Sequence, residues 1–162
     1  MKKEILKRFT MLMLLVGLTL ATAAVSANAQ SRNKVIANIP FEFVVGDKTL
    51  PGGEYSVRSA TAGNEALMVE GADNGKSAVR LSYPTKQIKN KTHARLLFHR
   101  YGQSYFLVEV WDGQGTGRRI VKSRQERAIE RELARIPLAS IPSRSELVRN
   151  TCETVEVVAV LR

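Results

Sequence analysis

The stretch LLFHRYGQSYFLVEVW, residues 96 to 111, constrains the fold more than any other part of the chain. Gly102-Gln103 between two apolar runs predicts a two-residue type II′ hairpin turn, with glycine where a positive φ is needed. That turn sets Phe98 opposite Leu107, His99 opposite Phe106 and Leu97 opposite Val108. Successive side chains of a strand point to opposite faces, so both faces of this hairpin carry large apolar groups. A sheet that is apolar on both sides has to be covered on both sides. The expectation is a sandwich or partly open barrel rather than an open meander.

Other segments follow the same period. Val35, Ala37, Ile39, Phe41, Phe43 and Val45 occupy every odd position, which predicts one long strand with a single buried face. Pro40 lacks the N–H a ladder needs and marks an edge or a bulge. Gly46-Asp47-Lys48 and Pro51-Gly52-Gly53 break the chain, and Glu54–Val57 resumes it with Tyr55 and Val57 on one side. Ala66–Glu70 is a short strand. Ser77–Tyr83 is another, with Val79, Leu81 and Tyr83 alternating against Arg80 and Ser82, and Pro84 ending it. Thr154–Leu161, with Val155, Val157, Ala159 and Leu161 in alternation, reads as a central strand that pairs with something earlier. No internal repeat or low-complexity tract is present.

One helix is expected, over residues 123 to 136. Ser123-Arg124-Gln125-Glu126 fits a capping box, in which each end side chain satisfies the other's backbone N–H. Ile129, Leu133 and Ile136 form its apolar stripe, and Pro137 stops it. Gly113–Gly117 (GQGTG) reads as slack leading into this helix. The predicted fold is therefore mainly β, about seven antiparallel strands with one amphipathic helix near the C-terminus.

Residues 1 to 29 read as an export signal. Lys2, Lys3, Lys7 and Arg8 precede the apolar run Met11–Leu20, and Ala27-Asn28-Ala29 is a small-x-small cleavage pattern. The apolar stretch Phe9–Val25 is short of the roughly 20 residues of a membrane span, so no stable span is expected after cleavage. No cysteine lies near the cleavage point, which excludes a lipoprotein. Taking 29 residues from 162 leaves 133, one domain with a real core. Taking those four cations and Glu4 from a formal net charge of +10 leaves +7. A basic field favours anionic surfaces or partners, and a periplasmic or extracellular location sets nucleic acid aside. Cys152 is the only cysteine, so no intrachain disulfide is available. It could link two chains; the simpler expectation is a small buried residue.

Leu50-Pro51-Gly52-Gly53-Glu54-Tyr55-Ser56-Val57 is similar to the L-P-x-G-x-Y-x-V turn and strand of transthyretin-like and Cna-B-type β-sandwich modules, which are typically non-catalytic extracellular domains. The wider pattern IPFEF, LPGGEY, LLFHRYGQSYFLVEVW and KSRQERAIERELAR, from Val35 to Arg135, resembles a group of small exported bacterial proteins with no assigned function. The resemblance implies a shared β-rich architecture and carries no catalytic residue.

Chemistry-bearing residues are sparse. His93 and His99 sit six residues apart, roughly 20 Å along a strand at about 3.3 Å per residue, too far to share a metal. The hairpin register places His93 opposite Asp112, a pairing that can orient an imidazole, but no G-x-S-x-G turn supplies a nucleophile. Among Glu42, Glu54, Glu109 and Asp112 no pair stands out as acid and base; Glu109 in an apolar strand calls for a cation such as Arg95 or Arg100. Gly113-x-Gly115-x-Gly117 lacks the G-x-G-x-x-G spacing of a dinucleotide loop. Asn90-Lys91-Thr92 fits a glycosylation sequon, of little meaning behind such a signal. No catalytic residue, metal ligand or cofactor is expected.

The strongest functional hint is basic. Arg118, Arg119, Lys122, Arg124, Arg127, Arg131 and Arg135 crowd one segment, and Arg127, Arg131 and Arg135 fall on one helix face. Arg127–Glu130 and Glu132–Arg135 pairs would reduce that row to a solvated surface. Lys86, Lys89, Lys91, His93 and Arg95 could extend the field. The expectation is a non-catalytic exported domain that meets an anionic envelope component or a protein partner. The alternative is a carrier enclosing an apolar ligand among Phe98, Phe106 and Trp111, with a hydrolase a distant third.

Overall fold

The alternation from Val35 to Val45 survives in the core but not as one strand. In the computed structural model, which describes residues 34–73, 75–86, 92–135 and 152–162, it divides into β1 (Val35–Ile39) and β2 (Phe43–Val45). Pro40 ends β1 where its missing N–H would interrupt the ladder, and the chain crosses to a different set of neighbours. β1 pairs with β4 (Gly53–Ser59), whereas β2 pairs with β3 (Lys48–Leu50) and, in parallel at Val44 and Phe106, with the second arm of the hairpin. Phe41 fills the crossing, stacked on Tyr105 at 3.9 Å between centroids and edge-on to Phe98.

The remaining strands are β5 (Ala66–Gly71), β6 (Ser77–Lys86), β7 (Arg95–Tyr101), β8 (Ser104–Trp111), β9 (Thr116–Ile120), β10 (Glu153–Val158) and β11 (Val160–Leu161), with α1 (Arg124–Leu133) between β9 and β10. Among the described residues eleven strands form one sheet; nine follow the path β10-β7-β8-β9-β6-β5-β4-β1-β11, and β2 and β3 are attached beside β8. The path does not close into a barrel. Two segments turn the corners instead, as in orthogonal β packing: β6 pairs with β5 through Leu81 and with β9 from Ser82, and the C-terminal segment pairs with β7 up to Val158 and with β1 from Val160. The two arms bury their inner faces in one core. Ile39, Tyr55, Val57 and Val69 come from one arm; Leu96, Phe98, Leu107 and Val110 come from the other.

Several expectations are corrected. Eleven strands replace about seven, because the first and last strands each break in two and β3 and β9 are additional. β9 begins inside Gly113–Gly117, the stretch expected to be slack, and runs into the basic segment, where no strand is predicted. Asp112 makes it a strand by accepting hydrogen bonds from the N–H groups of Gln114 (2.8 Å) and Thr116 (3.0 Å), which folds the β8–β9 turn. β6 runs on through Pro84. The Ser82 N–H points to Glu65 O at 2.8 Å, so Pro84, two residues on, would point its missing donor past the start of β5 and loses no ladder bond. Val79, Leu81 and Tyr83 face outward, 57, 63 and 47 % exposed, while Ala78 and Ser82 are buried. The C-terminal segment lies at the ends of the path rather than in its centre, which leaves Val158 and Val160 exposed.

The hairpin turn forms as expected, with φ +62° at Gly102 and Tyr101 opposite Ser104. Phe98–Leu107 and His99–Phe106 also hold, but Leu97 faces Glu109 and not Val108. The register shift inserts one extra residue, Val108, so Leu107 and Val110 both reach the core and Glu109 and Trp111 turn to the opposite face. Among the described residues no helix is long and apolar enough to cross a membrane. Ile136, Pro137, Lys89, Asn90, Lys91 and residues 1–29 lie outside the described residues.

Candidate functional site

Helix α1 has two sharply different faces. Ser123 caps it: its Oγ accepts from the Glu126 N–H at 2.9 Å. The capping box is only half made, because the Glu126 side chain turns away from the cap. Glu126 is 2 % exposed, and its Oε1 shares a 2.9 Å hydrogen bond with His99 Nδ1 on β7. One turn later Glu130 Oε1 accepts from the Tyr101 hydroxyl at 2.9 Å and from the Lys122 ammonium. Ile129 and Leu133 pack beside these groups on Val44, Tyr101 and Phe106. Positions 126, 129, 130 and 133 share one helix face, and that face is docked on the sheet.

Charge is balanced inside this contact. Burial alone would push the Glu130 carboxyl up, but Lys122 and Tyr101, with His99 behind them, outweigh it and hold it below its ordinary value. Burial, then Cys152 and Glu130, push the Tyr101 hydroxyl well above its usual range. Cys152 itself is exposed, against the expectation of a buried thiol, because the strand that follows it is an end strand with one open side. One ligating atom each from His99, Glu126 and Glu130 lies within 4.8 Å of the others. Glu130 already has an ammonium and a phenol donor, so the arrangement works as a polar bolt between helix and sheet.

The outward face is different. Arg124, Arg127, Arg131 and Arg135 are all exposed, and Glu132 is the one acid among them. Arg127 Nε donates to Ser123 O at 3.3 Å; the expected Arg127–Glu130 pair is displaced by Lys122. Arg124, Arg131 and Arg135 form no ion pair with a described residue.

The other members of the basic segment are dispersed by the strand that carries them. Arg118 and Arg119 are neighbours in β9 and so point to opposite faces. Arg118 Nε and Nη2 donate to Ser82 Oγ and O, both at 2.9 Å, and burial lowers its pKa against the opposing pull of Glu65. Arg119 donates to Glu109 at 2.8 and 2.5 Å, so Glu109 takes Arg119 rather than Arg95 or Arg100. Its other oxygen accepts from Trp111 Nε1 at 2.9 Å, and Arg95 instead lies over the Trp111 ring at 4.9 Å. Lys122 serves Glu130. The seven-residue cluster therefore reduces to a row of four.

His93 meets Glu156 at 3.1 Å instead of Asp112, since the bulge shifts the register and Asp112 is used in its own turn. Phe98 lies in the main core, Phe106 in the cluster under α1, and Trp111 against Gly117, where a Cβ would come within 2.4 Å of its ring. These three do not line a common space. Among the described residues, a cleft between Val57, Leu67, Val110 and Arg118 measures about 140 Å³ and one between Ala37, Glu54, Val158 and Arg162 about 260 Å³, both below the roughly 300 Å³ at which small-molecule sites begin. Comparisons with protein-family models, with curated proteins and with solved structures find no match.

The inward acids were legible in principle. Glu126 and Glu130 stand on the same face as Ile129 and Leu133, and an acid inside an apolar stripe implies a partner on the surface it docks against.

Proposed function

We propose that this chain is an exported, non-catalytic domain that binds an anionic partner through the outer face of α1. One observation carries the reading: the helix turns Glu126 and Glu130 into the sheet and leaves Arg124, Arg127 and Arg131 outside, with Arg135 exposed in the turn just after it, so these acids do not neutralise the exposed cations. A solvated helix face would gain from the opposite arrangement, with i, i+4 pairs of alternating sign. Arginines near the helix N-terminus also oppose the helix dipole, a cost that a bound anion would offset. The basic balance of the remaining chain adds a long-range attraction of the same sign.

The test is co-sedimentation of the protein with its own envelope fraction over a salt series. Retention that weakens with salt and vanishes in an Arg127→Glu/Arg131→Glu/Arg135→Glu variant is the expected result. A triple variant that sediments like the parent would sink the proposal.

A further inference from the structure

We infer that the arginine row fits an extended polymer bearing repeated sulfate or phosphate groups, rather than isolated anions or a bilayer surface. This rests on the anion-binding reading above and names the class of partner. Four features of the row select it.

The first is length. Within α1, Arg124, Arg127 and Arg131 rise about 4.5 and 6 Å apart at 1.5 Å per residue, a span of roughly 10 Å, and Arg135 follows in the turn just beyond the helix end. One small oxyanion can meet one or two of these groups, so filling the row needs several anionic groups in line. The second is chemistry. Every exposed cation of the row is arginine, and its planar fork matches an oxyanion bidentately, where lysine offers only a point charge.

Shape is the third. Arg124, Arg127 and Arg131 share one exposed face of a convex helix, flanked by Gln125, Ala128 and Glu132, with Arg135 exposed in the turn that follows. A bilayer offers a plane and favours helices that bury an apolar face in it. Here the apolar face, Ile129 and Leu133, is already used against Val44, Tyr101 and Phe106. The fourth is what the row lacks: no aromatic side chain stands on α1, and single-stranded nucleic acids are held largely by stacking on such groups. Docking by the inward acids keeps the row straight, so the polymer meets a preorganised line of charge.

The experiment is calorimetric titration of the full chain with a size series of heparin oligosaccharides, polyphosphate, inorganic phosphate, single-stranded DNA and anionic phospholipid vesicles, each at several salt concentrations. Affinity for heparin or polyphosphate should rise with chain length until the ligand spans the row, then level off, and the comparison of these two separates sulfate from phosphate preference. Inorganic phosphate should bind far more weakly. Single Arg124→Gln, Arg127→Gln, Arg131→Gln and Arg135→Gln changes should each weaken polymer binding about fivefold and lower the salt slope by about one. These residues are exposed, so unchanged circular dichroism keeps the variants interpretable. Binding to vesicles or single-stranded DNA in preference to the polymers would overturn the inference and leave the anion-binding reading standing. Polymer binding that ignores the four substitutions would overturn it too. No binding to any anion would overturn both.

Discussion

The β7–β8 hairpin is covered on both faces, and the two covers are made differently. On the inner side Leu96, Phe98, Leu107 and Val110 join a large apolar core shared with the opposite arm. On the outer side α1 rests on Val44, Tyr101 and Phe106 and is pinned by Glu126 to His99 and by Glu130 to Tyr101 and Lys122. Apolar packing over many contacts is tolerant of sequence and dominates global stability. A small apolar patch with two charged bolts is specific in placement and modest in energy. The contrast separates what holds the domain together from what aims the arginine row.

The inner cover should be the harder to lose. Phe98 is fully buried and touches Phe41 and Phe43 edge-on, so Phe98→Ala should cost about 3–5 kcal/mol. Urea unfolding should show the midpoint falling in every probe at once. If only the helix signal moved, the two covers would not be distinct.

The outer cover should fail locally. Glu126→Ala removes a buried charged acceptor and strands His99, a loss of about 2 kcal/mol by the usual range for hydrogen bonds to charged groups. Hydrogen exchange should quicken across Arg124–Leu133 while β7 and β8 stay protected. Global unfolding of this variant would mean that the helix belongs to the core.

The same division decides how much could be read from the sequence. The hairpin turn, the Phe98–Leu107 and His99–Phe106 pairs and the alternating core of β1, β2 and β4 were legible because period two and glycine conformation are local. The bulge at Val108 was not, since nothing in residues 104 to 111 says which residue is extra; it exists so that Leu107 and Val110 can both reach the core. The outward Val79, Leu81 and Tyr83 have the pattern of a buried face, and only the pairing of β6 with β5 and β9 shows which side is inside. The candidate site was half legible. The arginines at i, i+4 and i+8 were visible, but the inward turn of Glu126 and Glu130 depends on His99, Tyr101 and Lys122, and His99 and Tyr101 lie more than twenty residues before the helix.

Acid and alkali should loosen the outer cover from opposite sides. The Glu130 carboxyl is held below its ordinary value, so its contribution is complete above the unfolded value of about 4.3 and is lost as pH falls through the lower folded one. Tyr101 is held above its ordinary value, so its contribution is complete below about pH 10 and is lost at higher pH. Helix protection measured against pH should form a plateau between these limits. Glu130→Gln should flatten the acid limb and Tyr101→Phe the alkaline one. A plateau that ends at the same pH in both variants would detach these groups from helix docking.

The smallest effect should come from the arginine row itself. Arg127 and Arg131 repel at i, i+4 on one helix face, costing a few tenths of a kcal/mol, Arg135 adds like charge in the turn beyond the helix end, and Arg127 in the first turns also opposes the helix dipole. None of the three has a carboxylate partner among the described residues. Replacing all three with Gln should therefore leave stability unchanged or raise it by about 0.5 kcal/mol at low salt, a gain that shrinks as the Debye length falls to about 8 Å at physiological ionic strength. The sign matters more than the size. A neutral or stabilising triple variant that also loses anion binding would show a surface kept for contact at the expense of the fold, whereas a loss above 1 kcal/mol would show that these arginines pack against the domain and belong to its structure.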